Sequence, residues 1–237
     1  MSEVSVQEKL NYCFLPEFRY KHANPYHEKL KLFEEFVLRD DAAEKFKGKW
    51  SREIFQNNNP LEVEIGTGYG HFMHSHCQQN PNINFIGLDY RFKRSFELAR
   101  RLAKIEKRNF RYLRAKGERL QYLFDQKEVD KIYYFFPDPW PKNKHHKKRL
   151  FQLPFLKSCF EVLKPEGELF IKTDHDDYFK WMKKITEQQD MFDIKFITDD
   201  LYRTNPGHFL ACFQTKFEKI FLAQQIKIKA MVLKKKI

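Results

Sequence analysis

The segment Val63–Gly70 reads VEIGTGYG, and it decides the fold. An apolar run ends here and passes into Gly66, Gly68 and Gly70, three glycines at alternate positions. Glycine permits positive φ angles and lets the backbone approach a neighbour closely. A strand that turns through glycines into a helix is typical of a doubly wound α/β sheet, in which ligands bind beyond the carboxyl ends of the strands. We therefore predict an α/β fold of this kind.

The chain on either side of this turn repeats the alternation of strands and helices. Helical patterns lie between most of the strand-like segments, as in KRSFELARRLAKIEK and PFLKSCFEVLKPEG, and the tail holds a helical FLACFQTKFEKIF. The pattern predicts a mostly parallel, doubly wound sheet of seven strands. Their segments are LEVEI, NFIGLD, NFRYLRA, VDKIYYFF, ELFIKTD, FDIKFIT and IKIKAMVL.

The first part of the chain lacks strand signals. It is basic, and the segment HEKLKLFEEFVL has helical spacing at Leu30, Phe33 and Val37. The breaker NNNP at Asn57–Pro60 separates it from the alternating region. We predict a partly helical N-terminal extension over residues 1–58 and one domain over residues 59–237.

Net charge, cysteine pattern and hydropathy indicate which partners and which cellular compartment to expect. Forty-four lysines and arginines against 32 acidic residues give a formal net charge of +12. Such an excess favours a polyanionic partner, nucleic acid before an anionic membrane surface, over a merely basic soluble surface. The four cysteines form no C-x-x-C pair, which predicts reduced thiols. Because the sequence has neither a signal-peptide pattern nor a run of membrane-span length, we expect a cytoplasmic protein without a membrane partner.

Two acidic residues select the ligand of the glycine turn. Glu64 lies just before the first glycine, and Asp89 ends the second strand, where a carboxylate can accept both ribose hydroxyls of a nucleoside. A dinucleotide site needs G-x-G-x-x-G, and here the third glycine comes one residue too early. A carboxylate at Glu64 would repel a pyrophosphate but suits the ammonium and sulfonium groups of S-adenosylmethionine. We therefore predict an S-adenosylmethionine site with Glu64, Gly66, Gly68, Gly70 and Asp89, a turn without ligand being the alternative.

The segment FFPDPWPKNKHHKKR, residues 135–149, follows the fourth strand at the same edge of the sheet. Its prolines stiffen the loop and present Asp138 and Trp140, a carboxylate that can accept from a base edge and an indole that can stack. The alternative is a rigid loop in which Asp138 caps a turn and Trp140 lies in the core. The cations that follow predict a phosphate-gripping loop: Lys142, Lys144, Lys147, Lys148 and Arg149.

We expect no metal. His145 and His146 have no second cluster at ligand spacing. The acidic TDHDD, residues 173–177, opens a helix, where carboxylates complement the helix dipole. Asp174 is kept as a candidate site residue because it lies at the tip of the fifth strand.

Together, VEIGTGYG, FFPDPWPKNKHHKKR, FIKTD and TKFE resemble the bacterial tRNA (guanine-N7-)-methyltransferase family. The resemblance runs from about Lys47 to Glu218, and the PDPW block with its K-x-x-H-x-K-R continuation is specific to that family. It implies a Rossmann-like class I methyltransferase fold that transfers a methyl group from S-adenosylmethionine to N7 of guanine 46 in the variable loop of tRNA.

The resemblance also implies roles for residues that match the family motifs. Glu64 and Asp89 match cofactor-binding acids, and Asp138 matches an aspartate assigned to both catalysis and the cofactor pocket. The matches to tRNA-substrate positions are Lys142, Asp174, Thr215, Lys216, Phe217 and Glu218. One position departs: Lys116 and Gly117 stand where the family usually has an aspartate and a small residue near the adenine ring.

Other functions stay open at this point. An amino-methyltransferase acting on adenine or cytosine uses a related D/N-P-P-aromatic tip, whereas the order here is Pro-Asp-Pro-Trp. A non-catalytic RNA-binding protein on the same fold would need none of Glu64, Asp89 and Asp138, and a dinucleotide oxidoreductase is disfavoured by the glycine spacing. The sequence leaves the oligomeric state open between monomer and homodimer.

Overall fold

The computed structural model describes residues 11–237, so the first ten residues of the predicted extension lie outside the described residues. In the described part of the chain, eight strands form one sheet in the order β1-β4-β3-β2-β5-β6-β8-β7. Their bounds are β1 Val37–Arg39, β2 Leu61–Ile65, β3 Asn84–Leu88, β4 Phe110–Arg114, β5 Val129–Phe135, β6 Leu163–Thr173, β7 Phe192–Thr198 and β8 Lys229–Lys235.

The sheet confirms the predicted α/β architecture. The six strands from β1 to β6 pair in parallel, and β8 is antiparallel to both of its neighbours, β6 and β7. The order runs outward from β2 in both directions, as in a doubly wound sheet. All seven predicted strands are present, but the predicted number of strands is wrong because β1 adds an eighth.

Within residues 11–237, nine α-helices connect and flank the strands. Their bounds are α1 Pro25–Lys29, α2 Asp41–Glu44, α3 His71–Gln79, α4 Phe92–Leu102, α5 Leu120–Leu123, α6 Leu153–Val162, α7 Asp176–Glu187, α8 Leu201–Thr204 and α9 Lys216–Ala223. Among the residues described, short 3-10 helices cover Tyr12–Phe14, Leu30–Phe33, Gly117–Arg119, Asn143–Lys148 and Phe209–Ala211, and a π-helical turn covers Trp50–Phe55.

The extension contains the strand that the sequence did not predict. Val37, which was expected on a helix face, lies in β1 and pairs with Tyr112 of β4. The amide of Tyr112 donates to the carbonyl of Phe36 at 2.9 Å, and the Phe36 ring packs against Phe110. Pairing with the open edge of β4 and burial of these side chains outweigh the local helical pattern.

Two predicted helices are shorter than their patterns. The helix expected over PFLKSCFEVLKPEG ends at Val162, and β6 begins at Leu163, two residues before Pro165. The tail helix expected over FLACFQTKFEKIF is interrupted between Ala211 and Lys216. Thr215 caps a new helix there, because its hydroxyl accepts from the amide of Glu218.

The extension shares the core of the sheet. Phe14, Ala43 and Trp50 are buried in the same cluster as Val63 of β2, and the Trp50 indole donates to the carbonyl of Leu123 at 2.7 Å. Residues 11–58 therefore add to the sheet and its core, and Cys13, Phe18 and Tyr20 form a small cluster of their own against Tyr90. The boundary at residue 58 stays a prediction.

The structure bears on two expectations drawn from composition: the state of the cysteines and the presence of a membrane-spanning helix. Cys13, Cys77, Cys159 and Cys212 are all free thiols, and the first three are buried. Over residues 11–237, no helix has the length and apolar character that crossing a bilayer requires.

Candidate active site

A cavity of about 250 Å³ opens at the carboxyl edge of the sheet. Four consecutive strands of the sheet order, β4, β3, β2 and β5, end at it. The main lining segments are Ile65–Gly66 after β2, Leu88–Arg91 after β3, Ala115–Glu118 after β4 and Phe136–Asp138 after β5. This is the position at which open α/β sheets bind ligands.

The glycine turn forms part of the cavity wall. Gly66 has a φ of 80°, and a Cβ atom added to it would meet nothing within 4 Å, so the turn faces open space. The next glycine, Gly68, donates its amide to Asp89 Oδ2 at 2.9 Å. The backbone is thus shaped and held for close approach by a ligand.

Gly70 has a different reason to be glycine. It precedes α3 with a φ of 68°, and a Cβ atom there would lie 2.2 Å from Cδ1 of the buried Leu98 on α4. Its lack of a side chain therefore lets α3 approach α4 closely. Gly70 does not line the cavity, and any part in cofactor binding stays a prediction.

Replacing Gly70 with alanine is expected to destabilise the protein by about 2–3 kcal/mol, because the new methyl group overpacks a buried contact at positive φ. Urea unfolding measures the loss. Gly207→Ala is the matched control, since a Cβ atom at Gly207 would meet nothing within 4 Å. Equal stabilities of the two variants would contradict this account of Gly70.

Glu64 is a buried carboxylate with an unsatisfied oxygen. It lies on β2 directly before the cavity-lining residues, only 4% exposed, and its Oε2 has no hydrogen-bond partner. The pKa of Glu64 is raised to about 8, mainly by burial; a hydrogen bond with Thr67 opposes the rise and the nearby Asp89 adds to it. A cationic group beside the turn would supply the partner that this oxygen lacks.

Asp89, the second acidic residue of the predicted site, is held by backbone hydrogen bonds. Its Oδ2 accepts from the amide of Gly68 and its Oδ1 from the amide of Arg91, so the carboxylate ties the glycine turn to the end of β3. Burial raises its pKa, and these two backbone hydrogen bonds oppose the rise. Each oxygen keeps a lone pair for the ribose hydroxyl groups expected from the sequence.

Asp138 lies exposed on the wall of the same cavity. Its Oδ2 accepts from Arg91 at 3.0 Å, and both side chains are more than half exposed. Two flanking residues, Phe136 and Trp140, have φ angles of 49° and 46°, a region that bulky residues rarely occupy. Strain of this kind is characteristic of functional sites, where the surrounding structure holds it in place.

The indole of Trp140 also belongs to the cavity wall. It is half-buried, its ring meets the ring of His145 edge-on, and Lys148 Nζ lies 4.7 Å from its centroid. The side chain therefore lies beside the cavity rather than in the core.

The basic loop divides into exposed and buried cations. Lys142, Lys144, Lys147 and Lys148 are exposed, in line with their predicted contacts to phosphate. Arg149 is 2% exposed; its Nε donates to the carbonyl of Pro139 at 2.8 Å, and its guanidinium lies over Tyr178 and Trp181. The prediction that Arg149 grips phosphate is wrong in this structure, because the residue braces the proline loop from inside.

Lys116 lines the cavity from the end of β4. Its Nζ lies 3.1 Å from Cys13 Sγ of the extension and 4.8 Å from the ring centroid of Tyr90. Burial lowers the pKa of Lys116, but Glu118 and Cys13 more than compensate and raise it. The ammonium group is thus held by the extension, and Ala115 and Gly117 line the cavity beside it.

The remaining predicted site residues lie farther along the same edge. Asp174 follows β6, and its carbonyl accepts from Lys229. Thr215 and Glu218 form a capping box at the start of α9, and the fully buried Glu218 also pairs with Lys172 at 2.8 Å. These two residues therefore support the helix.

The other two predicted residues of α9 are accessible. Lys216 and Phe217 are exposed, with Phe217 48% accessible to solvent. They project a cation and an aromatic ring from the helix that the capping box begins.

A family model described as "Putative methyltransferase" matches residues 58–231 of the chain. This match covers more than half of the sequence and includes every strand from β2 to β7. The chain belongs to this methyltransferase family. Family and fold together imply the use of S-adenosylmethionine as methyl donor.

Several curated relatives agree with the family. A tRNA (guanine-N(7)-)-methyltransferase of Malacoplasma penetrans is 34% identical over 220 residues, covering 90% of this chain and 96% of that protein. A bifunctional glycosyltransferase/methyltransferase of Fusobacterium nucleatum subsp. nucleatum is 36% identical over 200 residues, 84% of this chain. The match spans 30% of that longer protein.

Solved methyltransferase structures share the fold. A 16S rRNA methyltransferase superposes with a TM-score of 0.57 at 13% identity, covering 84% of this chain and 94% of the other. At that identity the likeness concerns the fold alone.

Within this methyltransferase, the structure adds cavity residues that the sequence analysis missed. Arg91 pairs with Asp138, and Tyr90 and Arg94 line the cavity beside it. Their only sequence signal is their position directly after Asp89, at the end of a strand. Because arginine is common on surfaces, that signal does not separate them from the other basic residues.

Proposed function

We propose that this enzyme transfers the methyl group of S-adenosylmethionine to N7 of guanine 46 in the variable loop of tRNA, forming 7-methylguanosine. One observation carries the proposal: an exposed carboxylate, Asp138, lies on the wall of the cavity that holds the glycine turn and Asp89. Relatives named tRNA (guanine-N(7)-)-methyltransferase support N7 of a tRNA guanine as the methyl acceptor.

Methyl transfer to guanine N7 does not require a general base. Guanine N7 carries a lone pair and no proton. That pair forms the new N–C bond while the S–C bond breaks and its electrons return to sulfur, so no general base is needed. The protein has to align the reactants, exclude water and stabilise the positive charge that appears on the base.

Glu64, Asp89 and the glycine turn would hold the methyl donor. The unpartnered Oε2 of Glu64 fits the cationic end of the donor, and Asp89 fits the ribose hydroxyls. The open space in front of Gly66 admits a ligand against the backbone. Lys116 is occupied by the extension, so we propose that backbone groups beside it contact the adenine ring.

Asp138 would hold the guanine edge and balance its growing charge. To do so it has to exchange its contact with Arg91 for the base, which the exposure of both side chains permits. Trp140 would close the cavity against water on the same side. The strained backbone around Asp138 limits its freedom and so lowers the entropy lost on alignment.

The tRNA backbone would lie across the exposed lysines. Lys142, Lys144, Lys147 and Lys148 offer phosphate contacts beside the cavity, and Lys216 and Phe217 extend this surface from α9. Thr215 and Glu218 would act by shaping α9, and Asp174, directly after β6, would also contact the tRNA. We propose that the enzyme acts in the cytoplasm, as a monomer or a homodimer.

The decisive experiment is transfer of labelled methyl from S-adenosylmethionine to an unmodified tRNA transcript, with the product nucleoside identified by mass spectrometry. We expect 7-methylguanosine in the variable loop, and no incorporation when guanine 46 of the transcript is replaced by adenine. Label in another guanine would refute the position. Methyl on an exocyclic amine would indicate an amino-methyltransferase instead, and tRNA binding without transfer would indicate a non-catalytic RNA-binding protein.

Lys142→Ala is expected to weaken tRNA binding and to reduce the slope of log K against log salt by about 1, because one phosphate contact is lost. Filter binding over a series of salt concentrations measures the slope. Lys127→Ala is the matched control, since this exposed lysine precedes β5 at the opposite edge of the sheet. An unchanged slope for Lys142→Ala would argue against a phosphate role.

A further inference from the structure

Two histidines of the extension meet an aspartate beside β1. His22 precedes α1, His27 lies within it, and Asp40 directly follows β1. One ligand atom from each residue lies within 4.8 Å of the others. None of these residues has a part in the proposed methyl transfer, and all three stand outside the cavity.

The distances between the ligand atoms match a small metal ion. Asp40 Oδ2 lies 3.2 Å from His22 Nδ1 and 3.5 Å from His27 Nδ1. A tetrahedral Zn²⁺ with bonds of about 2.0–2.1 Å separates its ligand atoms by roughly 3.3 Å. These two separations agree with the spacing that the ion requires, and the two imidazole nitrogens lie within 4.8 Å of each other.

Two of these atoms lack any other partner. Asp40 is 1% exposed, and both its Oδ2 and the Nδ1 of His27 are buried without a hydrogen bond. Buried polar atoms are normally paired, so an unpaired carboxylate oxygen facing two imidazoles needs an explanation. A cation that binds all three atoms supplies one.

The other oxygen of Asp40 is already fixed. Asp40 Oδ1 accepts from the buried Arg114 of β4, and the amide of Asp40 donates to the carbonyl of Arg114. A partner of this kind orients a ligating carboxylate and leaves its second oxygen free for the ion. Arg114 also brings positive charge close to the site, which weakens binding relative to a site without it.

We propose that His22, His27 and Asp40 bind one divalent zinc-class cation, with water in the remaining position. Two imidazoles and one carboxylate are ligands that suit Zn²⁺, whereas Mg²⁺ and Ca²⁺ prefer oxygen alone. The expectation of no metal rested on His145, His146 and the acidic segment 173–177, and it did not consider positions 22, 27 and 40, which share no short repeated spacing. Tertiary packing brings them together.

The site would join the extension to the wall of the cavity. The guanidinium carbon of Arg114 lies 3.5 Å from the ring centroid of Phe92 and 4.5 Å from that of Tyr90. Tyr90 in turn lines the cavity. A cation at Asp40 would therefore fix residues 22–27 against the elements that shape one side of the active site.

The test uses the full chain without a polyhistidine tag, stripped of metal with a chelator. Titration with Co²⁺ is expected to give the visible absorption of a four-coordinate ion at one equivalent, and Zn²⁺ is expected to displace it. Mg²⁺ is expected not to compete. Zn²⁺ is also expected to raise Tm, because an ion that binds only the folded state stabilises it.

His22→Ala and Asp40→Asn are expected to weaken Zn²⁺ binding by at least about tenfold. His22 is about half exposed, so its removal leaves the fold intact, and Asp40→Asn keeps the shape of the buried side chain. His74→Ala, on the outer part of α3, is the matched control and should bind as the unaltered protein does. The proposal is overturned if one equivalent does not bind, if His22→Ala binds as tightly as before, or if His145→Ala removes the site instead.

Discussion

Asp138→Ala is expected to lower kcat for methyl transfer by about 10²–10³-fold, while S-adenosylmethionine still binds. The loss has the size seen when one preorganised group that stabilises developing charge is removed from an active site. Asp138 lies on the cavity wall, and its side chain is exposed enough to meet an incoming base. The residues expected to hold the methyl donor, Glu64 and Asp89, belong to other strands and stay in place.

Single-turnover transfer to tRNA measures the chemical step, and calorimetry with S-adenosylhomocysteine measures the cofactor site separately. Asp177→Ala is a suitable control, because Asp177 is an exposed aspartate in the first turn of α7. Arg91→Ala removes the ion-pair partner of Asp138 but keeps its carboxylate. This substitution should therefore change kcat far less than Asp138→Ala does. Near-normal turnover of Asp138→Ala, with the control unaffected, would remove Asp138 from the mechanism.

Glu64→Gln is expected to weaken binding of S-adenosylmethionine and, at the same time, to stabilise the protein. The folded state raises the pKa of Glu64 from 4.5 to about 8 because the side chain is buried. Between these values the folded state holds a proton that the unfolded chain releases, so this group makes stability fall as pH rises from 4.5 to 8. Glutamine carries no such cost, and at pH 7–8 the gain in free energy of unfolding is roughly 2–4 kcal/mol.

Urea unfolding from pH 5 to pH 8 measures this difference, which should widen with pH. Glu62→Gln is the matched control, two residues earlier on the same face of β2. Glu62 is also buried, but His76, Tyr133 and Lys131 pair with it and outweigh the effect of burial, so its pKa is lowered. Its contribution is present above pH 4.5, so Glu62→Gln should destabilise the protein at neutral pH.

Opposite stability effects of these two substitutions would establish that the Glu64 carboxylate lowers stability; weaker binding of S-adenosylmethionine to Glu64→Gln would show that it serves a ligand. If Glu64→Gln is instead destabilising at pH 8, the carboxylate has a partner in the folded protein and the proposed cofactor role loses its basis. Unchanged affinity for S-adenosylmethionine in Glu64→Gln would contradict that role directly.

The sequence by itself determined the order of the main elements from β2 to β8 and the edge at which the site forms. These features depend on local chemistry: apolar strand patterns, glycines that permit positive φ, and prolines that stiffen the turn after β5. Parallel strands end at one edge, so Glu64, Asp89 and Asp138 could be placed together before any contact was known. Asp89 and Asp138 line the cavity between β2, β3, β4 and β5, whereas Glu64 lies on β2 just before it and does not line it.

Only the tertiary structure decided what depends on distant partners. Val37 lies in a strand because it pairs with the edge of β4. Arg149 supports the proline loop from inside the protein because its guanidinium packs against Tyr178 and Trp181. The cluster of His22, His27 and Asp40 joins positions up to 18 residues apart, and Arg114 of β4 holds its carboxylate. These contacts form between residues that are distant in sequence. A local sequence pattern therefore cannot predict them.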